Sequence, residues 1–376
     1  MPEYRFTDFA INSTQKKKPT EDDKYTYIGL EHLDSGTLEV SRWGSDVAPI
    51  GEKLIMQKGD VLFGKRRAYQ KKVGIAPFDG IFSAHGMVLR PREEVITKEY
   101  FPLFISSDYF LNEAIRISVG SLSPTVNWKD LKDLTFNIPT IEEQKRIAPI
   151  IWAAIEVKNS YKYLIQSNDN LVKSQFIEMF GVPELNTLDL PSYTLDSLCT
   201  KITDGSHNPP KGIDNSDYYM LSSKNIVDDS ITLDDPRYLS KEKWEIENKR
   251  TQIAPGDVLL TIVGTVGRCA VVPDGHTNIA LQRSVCVLKP KQELLNSKFL
   301  FFELKCMQPY IDSLAQGAAQ RGIYLAQVGK LKIVVPDLAL QGAFVEMLEQ
   351  SDKSKFELQK SIEKIDNLIK SLIQQN

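Results

Sequence analysis

The chain has 376 residues, of which 42% are hydrophobic, 25% charged and 9% aromatic. These values exclude a disordered chain, a collagen-like repeat and a disulfide-stapled miniprotein, and the length predicts two or three domains. A balance of 46 basic against 49 acidic residues gives a formal net charge of −3, which excludes a uniformly cationic nucleic-acid coat but not a local basic patch.

No secretory or membrane-spanning segment is expected. The N-terminal sequence MPEYRFTDFA lacks an apolar run, and the longest apolar runs are far shorter than the roughly 20 residues that a membrane span needs. The cysteines show no CxxC spacing, so we expect reduced and mostly buried thiols at Cys199, Cys269, Cys286 and Cys306. The sequence therefore predicts a cytoplasmic protein with no membrane partner.

The second half of the chain repeats the first. Gly-Asp-Val-Leu at 59–62 recurs at 256–259, which is 197 positions later. Several other identities share this offset: Gly120 with Gly317, Leu134 with Leu331, Pro139 with Pro336, Gln144 with Gln341, and Asp169-Asn170-Leu171 with Asp366-Asn367-Leu368. Because many anchors share one offset, we predict an internal duplication.

The front part of each copy, about 1–140 and 183–336, is predicted to be an α+β globule. Short strand-like runs separated by turns alternate with helical stretches near 98–117 and 297–314. The predicted strands are 25–28, 61–63 and 87–89 in the first copy and 262–263 and 284–288 in the second.

The back part of each copy is predicted to be a long helix, over 141–182 and 337–376. Seam positions alternate by four and three residues, which is typical of a coiled coil. Polar seam residues are expected to fix the register against a defined partner helix: Lys158, Asn168, Gln175, Ser351 and Lys355. We expect Pro149 to kink the first helix or delay its start, and Gly181-Val182-Pro183 to end it.

The predicted fold class is α+β, with two similar globules separated by two long helices that pack as an antiparallel coiled coil with pseudo-two-fold symmetry. A helix of about 40 residues spans roughly 60 Å, so it cannot bury its whole apolar stripe against one small globule. The alternative is that each helix folds onto its own globule.

These features resemble the DNA-specificity subunits of type I restriction–modification systems over essentially the whole chain. The resemblance rests on the duplicated plan, on the two Gly-Asp-Val-Leu segments, and on the junction 138–147, Ile-Pro-Thr-Ile-Glu-Glu-Gln-Lys-Arg-Ile. The second copy keeps Pro336, Leu338 and Gln341 of that junction. The segment 203–207, Thr-Asp-Gly-Ser-His, is also similar to the family and has no clear counterpart in the first globule.

In that family each globule is a target-recognition domain that reads one half of a split DNA sequence. The helices act as a spacer and as a docking surface for two methyltransferase subunits, and restriction subunits join outside. The resemblance therefore implies double-stranded DNA and these subunits as partners, with no catalytic residue, cofactor or metal. An assembly that only methylates DNA fits the sequence equally well.

Residues predicted to contact DNA lie mainly in polar loops. The densest group is 65–72, with five cations and one aromatic residue that can neutralise phosphates and reach guanine; the alternative is a solvated loop. The matching stretch 261–268 is less basic, and His85 is predicted to be structural. The candidates are Lys16, Lys17, Lys18, Lys65, Arg66, Arg67, Tyr69, Lys71, Lys72, His207, Asn208, Lys211, Thr265, Arg268, Gln282, Arg283, Gln320 and Arg321.

Enzyme-like motifs in the chain are incomplete. Gly59 to Lys65 spells G-x-x-x-x-G-K, but Arg66 stands where a P-loop has Ser or Thr. Asn208-Pro209-Pro210 resembles an amino-methyltransferase motif, but Lys211 replaces the aromatic residue and no Gly-rich cofactor loop occurs. We therefore expect a non-catalytic protein; the alternative function is a coiled-coil adaptor whose globules bind proteins.

Overall fold

Residues 2–317 and 321–374 are described by a computed structural model, whose internal contacts divide the chain into two units. The first unit contains the chain up to Tyr163 together with the C-terminal part from Leu358, and the second is Leu164–Glu357. Each unit is an α+β fold that includes a part of both long helices.

The first unit holds three small sheets within its described residues, with strand orders β2-β9-β6-β7, β3-β5-β8-β4 and β1-β10. All pairs in them are antiparallel except the parallel pair of β4 with β8. The strands are β1 (Glu3–Arg5), β2 (Ala10–Ser13), β3 (Lys16–Lys17), β4 (Tyr27–Ile28), β5 (Lys53–Met56), β6 (Val61–Phe63), β7 (Val73–Ile75), β8 (Gly80–Phe82), β9 (Met87–Pro91) and β10 (Thr135–Asn137). The helices are α1 (Phe6–Phe9), α2 (Phe101–Ile105), α3 (Asp108–Arg116), α4 (Trp128–Leu131) and α5 (Ile141–Phe180), which continues into the second unit.

The second unit repeats this plan with sheet orders β12-β20-β17-β18, β16-β13-β19, β11-β21 and β14-β15 over its described residues. The strands are β11 (Ser192–Thr194), β12 (Cys199–Asp204), β13 (Tyr218–Leu221), β14 (Ile226–Val227), β15 (Ser230–Ile231), β16 (Arg237–Leu239), β17 (Val258–Thr261), β18 (Cys269–Val271), β19 (Ile279–Leu281), β20 (Val285–Pro290) and β21 (Lys332–Val334). The helices are α6 (Leu195–Leu198), α7 (Lys241–Thr251), α8 (Ser297–Cys306), α9 (Gln308–Ser313), α10 (Leu325–Gly329) and α11 (Leu338–Gln374), which runs back into the first unit.

An aromatic cluster forms the core of each unit. In the first unit, Phe104 and Phe136 pack edge to face with ring centroids 5.3 Å apart, and Ile151 of α5 and Ile373 of α11 join the same core. In the second unit, Phe176 of α5 and Phe344 of α11 lie 5.0 Å apart in another edge-to-face pair. The two long helices are therefore part of the core of both units.

The long helices run antiparallel, as predicted, and the polar seam residues find partners within each unit. In the first unit Lys158 Nζ lies 2.5 Å from Asp366 Oδ1, so the end of α11 lies beside the early part of α5. In the second unit Lys355 Nζ lies 2.8 Å from Asp169 Oδ1. The members of these two ion pairs match at the repeat offset of 197. The amide of Asn168 also donates to Ser351 Oγ at 2.7 Å.

A buried glutamine secures the start of each long helix. Gln144 accepts a hydrogen bond from the backbone N–H of Thr97 and donates to the carbonyls of Val95 and Pro139. Gln341 repeats this arrangement with Asn296, Leu294 and Pro336. Because both side chains are fully buried, they satisfy backbone groups that no water reaches.

Some expected element boundaries are wrong. The helix α5 starts at Ile141 and contains Pro149, so the expected delay does not occur; burial of Ala148 and Ile151 compensates for the hydrogen bond that proline cannot make. In 25–28 only Tyr27–Ile28 forms a strand, after a 3-10 helix over Glu21–Tyr25. The segment 262–263 follows β17 instead of forming a strand, because Val263 makes only an isolated bridge with Gly322.

Candidate nucleic-acid interface

The two Gly-Asp-Val-Leu segments place equivalent loops in the two units. Gly59 and Gly256 both take positive φ, at 92° and 85°, immediately before β6 and β17. The following aspartate is tied to a cation on the neighbouring strand: Asp60 receives two hydrogen bonds from Arg90, at 2.6 and 2.8 Å, and Asp257 lies 2.5 Å from Lys289. This anchor fixes the strand from which the β6–β7 and β17–β18 loops emerge.

The first residues of the β6–β7 and β17–β18 loops each form backbone hydrogen bonds with a second loop, at equivalent positions in the two units. In the first unit the N–H of Arg67 donates to Pro124 O at 2.7 Å, and the N–H of Val126 donates to Lys65 O at 2.9 Å. In the second unit Gly264 donates to Arg321 O at 3.0 Å, and Ile323 to Ile262 O at 2.9 Å. The four residues of the second unit lie 197 positions after their counterparts in the first. We call this shared pair of hydrogen-bonded loops the platform. It carries Lys65 and Arg66 in the first unit and Ile262 and Val263 in the second.

Cations gather at this platform in the first unit, and we call Lys16, Lys53, Lys65, Arg66 and His85 the basic patch. Burial lowers the pKa of Lys65, and the positive charge of Lys16 lowers it further. Burial also lowers the pKa of His85, with added repulsion from Arg66, Lys65 and Lys53. These effects indicate that the five side chains share one positive environment, and burial together with the neighbouring charges favours neutral His85 at neutral pH.

Other cations of the predicted DNA-contact segments are tied within the first unit. Lys17 pairs with Asp23 at 3.0 Å and Lys71 with Asp108 at 2.6 Å, and Lys72 donates to Leu30 O at 2.7 Å. Lys18, Arg67 and Tyr69 are exposed. In the dense basic segment 65–72, Arg66, Arg67 and Tyr69 are therefore exposed, whereas the side chains of Lys71 and Lys72 bond within the fold.

The platform of the second unit borders a cavity of about 470 Å³, which we call the second-unit cavity. Asp204, His207, Arg250 and Arg283 line it, with the exposed ring of Tyr324. The buried carboxylate of Asp204 accepts a hydrogen bond from Arg250 and lies 2.8 Å from His207 Nε2. Arg250 also donates to Thr203 Oγ1 at 3.0 Å. The arrangement presents donors and cations that are oriented by one buried acid.

The remaining candidates of the second unit are spread over its surface. Asn208 and Lys211 are exposed beside His207, and Gln282 and Arg283 follow β19, where the N–H of Arg283 donates to Ser206 O at 2.9 Å. Arg321 bonds to Asp312, and Thr265 is exposed.

Arg268 lies apart from this group, in a cavity of about 170 Å³ beside Asp228, Asp229 and Lys305. Its guanidinium donates to Ile226 O at 3.4 Å. Gln320 lies outside the described residues.

Sequence reasoning missed Lys53 and Arg250 as candidates and assigned His85 a structural role. Lys53 and His85 approach Lys65 only through the pairing of β5 and β9 with distant strands, which the sequence does not reveal. Arg250 belongs to the charged helix α7, where nothing distinguishes it from its neighbours Lys249 and Glu247.

Other site chemistries find no support within residues 2–317 and 321–374. No group of three or more His, Cys, Asp or Glu there is placed to hold a metal ion. Every helix within these ranges is either too short or too polar to span a lipid bilayer. Burial raises the pKa of the Cys199 and Cys306 thiols to about 12, which keeps both protonated and unreactive.

Comparison with known proteins gives a family for the chain. Residues 6–167 and 192–367 match the type I restriction modification DNA specificity domain. The chain is 23% identical over 405 residues to a putative type I restriction enzyme MjaX specificity subunit of Methanocaldococcus jannaschii, covering 95% of this chain and 89% of that protein. It is 25% identical over 154 residues to the EcoBI specificity subunit of Escherichia coli, covering 39% of this chain and only 32% of that relative.

Solved structures show the same fold. A chain from a study of complex assembly and conformational transition of the type I R-M system is similar with a TM-score of 0.57 at 20% identity, covering 99% of this chain and 96% of that one. The S subunit of the type I restriction-modification system from M. genitalium is similar with a TM-score of 0.53 at 14% identity, covering 99% and 95%. With both halves matched by one domain family, the chain belongs to the type I restriction–modification DNA-specificity family and is a recognition component, not an enzyme.

Proposed function

We propose that the chain reads a split double-stranded DNA sequence, one half with each unit, and recruits two methyltransferase subunits and, through the complex, restriction subunits. In this proposal 1–140 and 183–336 are target-recognition domains, and 141–182 and 337–376 are spacer helices. The protein acts in the cytoplasm, where its DNA is. The observation that carries the proposal is the duplicated backbone platform with unlike side chains.

The basic patch supports DNA binding by the first unit. After burial, the charge of Lys16 lowers the pKa of Lys65, and the charges of Arg66, Lys65 and Lys53 lower that of His85, so the cations lie near one another. A DNA phosphate placed among them would offset this concentration of positive charge. Arg66 can in addition donate two hydrogen bonds to the major-groove edge of guanine. A chain with a formal net charge of −3 gains little from long-range attraction, so this local patch has to supply the contact.

The second unit supports a different half-sequence. Where the first unit has Lys65 and Arg66, the second has the apolar Ile262 and Val263, and its polar groups come from His207, Arg250 and Arg283 around the second-unit cavity. Because base readout depends on which donors and acceptors reach the groove, unlike side chains on one platform read unlike bases. We therefore expect a target that is not palindromic.

Exposed apolar residues along α5 support the docking of partner subunits. Ile150, Val157, Leu164 and Leu171 follow one another at intervals of seven residues, and each is between 43% and 63% exposed. Apolar residues at heptad spacing form one stripe on a helix, and such a stripe is covered in proteins by a partner helix. The methyltransferase is the partner that the family membership supplies.

The test is DNA binding by the complex of the full chain with its methyltransferase. Replacing Lys65 and Arg66 together by alanine should remove two cations from the interface, so the slope of log affinity against log salt should fall by about 2 if both contact phosphates, and by about 1 if Arg66 contacts guanine. The matched control is the double variant Lys58→Ala with Lys98→Ala. It removes two exposed cations that precede β6 and follow β9, at the end of this antiparallel pair opposite to Lys65 and Arg66. Equal losses in the two double variants would contradict the assignment of the interface.

A further inference from the structure

An exposed leucine stands at the tip of a short turn in the first unit. Leu122 is 92% exposed, and Val119 at the base of the turn is 64% exposed. Exposing a large aliphatic side chain to this degree has no benefit for the fold itself, since the residue buries almost no surface. The turn spans Gly120–Ser123, and Gly120 takes a φ of +116° that favours glycine.

The turn is held firmly although its tip is exposed. Val119 and Thr125 exchange two backbone hydrogen bonds, at 3.0 and 2.9 Å. Thr125 also forms an isolated β-bridge with Arg66, and the N–H of Val126 donates to Lys65 O at 2.9 Å. Leu122 is three residues from Thr125, so it lies within about 10 Å of the platform that carries Lys65 and Arg66.

The surroundings of the turn are cationic. No acidic residue occurs in 64–72 or in 117–128, and Lys65, Arg66 and Arg67 belong to the segment that the turn pairs with. An apolar tip flanked by cations fits a partner whose outside is negatively charged and whose inside is apolar. The DNA duplex has this construction, with phosphates outside and stacked bases inside.

We propose that Leu122 inserts between two neighbouring base pairs of the half-sequence read by the first unit. Aliphatic side chains inserted in this way unstack one step and kink the duplex, while nearby cations hold the flanking phosphates. Flexible pyrimidine–purine steps unstack most easily, so Leu122 favours such a step in the target. This inference rests on the proposed DNA-reading function.

The repeat limits the insertion to one half of the target. At the offset of 197, Leu122 corresponds to Ala319, and the cations Lys65 and Arg66 correspond to Ile262 and Val263. Alanine is too short to fill the space between two base pairs, and the second unit lacks the two cations at this place. The half-sequence read by the second unit therefore keeps its stacking.

The experiment uses the full chain in complex with its methyltransferase and duplexes carrying 2-aminopurine at successive positions of both half-sequences. The methyltransferase flips out its target base in each half, and that signal should not depend on Leu122. Apart from it, binding should raise the fluorescence several-fold at one step of the first half and at none of the second, because unstacked 2-aminopurine is no longer quenched. Leu122→Ser should abolish the rise while specific binding persists with weaker affinity, and Leu122→Met should retain it. The matched control is Leu185→Ser, which replaces a strongly exposed leucine of the second unit.

Three outcomes would overturn the insertion while leaving the DNA-reading function intact: a specific complex of the native chain with no fluorescence rise, a rise that survives Leu122→Ser, and a loss in Leu122→Ser that comes from weaker methyltransferase binding. A native complex that shows no preference for any DNA sequence would instead overturn the proposed function, and the insertion with it.

Discussion

Glu303 shows how one residue can make the second unit sensitive to pH. Its side chain is fully buried in α8; Oε1 accepts a hydrogen bond from the N–H of Val334 at 2.6 Å, and Oε2 has no partner among the described residues. Burial raises the pKa of this carboxyl well above its usual range, against a smaller lowering by the hydrogen bond from Val334. The folded protein therefore holds Glu303 neutral.

The raised pKa predicts a loss of stability with rising pH. In the unfolded chain the Glu303 carboxyl ionises at its ordinary pKa of about 4.3, whereas in the folded chain it stays protonated up to its raised value. Its contribution to folding is thus complete below the ordinary pKa and decreases as pH rises toward the folded pKa. We expect Glu303→Gln, measured by urea unfolding, to lose less stability than the parent between pH 5 and pH 8. The exposed Glu293→Gln is the control, and a parental pH slope in Glu303→Gln would refute the assignment.

Two glutamines show where the sequence predicted equivalent positions correctly. Gln144 and Gln341 are repeat anchors in the sequence, and in the structure each bonds the same three kinds of backbone group. A buried amide with fixed partners tolerates little change, so its position stays visible after duplication. The basic patch could not be predicted in this way, because Lys53 and His85 approach Lys65 only through the pairing of strands that are distant in sequence.

At the scale of elements, the long helices are defined by matching ion pairs. Lys158 with Asp366 and Lys355 with Asp169 correspond to each other through the repeat, and one member of each pair is less than a quarter exposed. The heptad pattern predicted the seam, and its polar residues predicted a defined partner. It predicted the start of the first helix at 141 but also allowed for a delay at Pro149, because the sequence does not show the core packing of Ile151 that overrides the cost of this proline.

Charge reversal tests this pairing. Lys158→Asp or Asp366→Lys alone places like charges side by side, and each should lower stability by about 1 kcal/mol, since the pair is partly exposed and screened. The double reversal should recover most of that loss. Thermal unfolding of the four chains measures the coupling, with Lys162→Asp on the exposed face of α5 as control. Additive losses in the double variant would mean that the two side chains do not interact.

For the whole molecule, duplication was the most informative feature of the sequence. It predicted two like folds and two long antiparallel helices, which the structure bears out. The recognition role came from the resemblance to the DNA-specificity subunits, which the family match bears out. The duplication could not predict which side chains the shared platform carries, because these differ between the copies on a common backbone, as Arg66 and Val263 do. A repeat reveals what both copies share, whereas specificity lies in what they do not share.

The central claim is that two unlike readers act at a separation set by the helices. The most direct measurement is a genome-wide map of modified bases in cells that express the chain with its methyltransferase. A second map uses a chain with seven residues inserted after Tyr163 and after Glu357, where both helices pass from one unit to the other. Seven residues keep the seam register and lengthen each helix by roughly 10 Å, or about three base pairs.

We predict that the first map shows two different half-sequences with one fixed gap, and that the second shows the same halves with a gap about three base pairs longer. A continuous or palindromic target in the first map, or altered half-sequences in the second, would contradict the account.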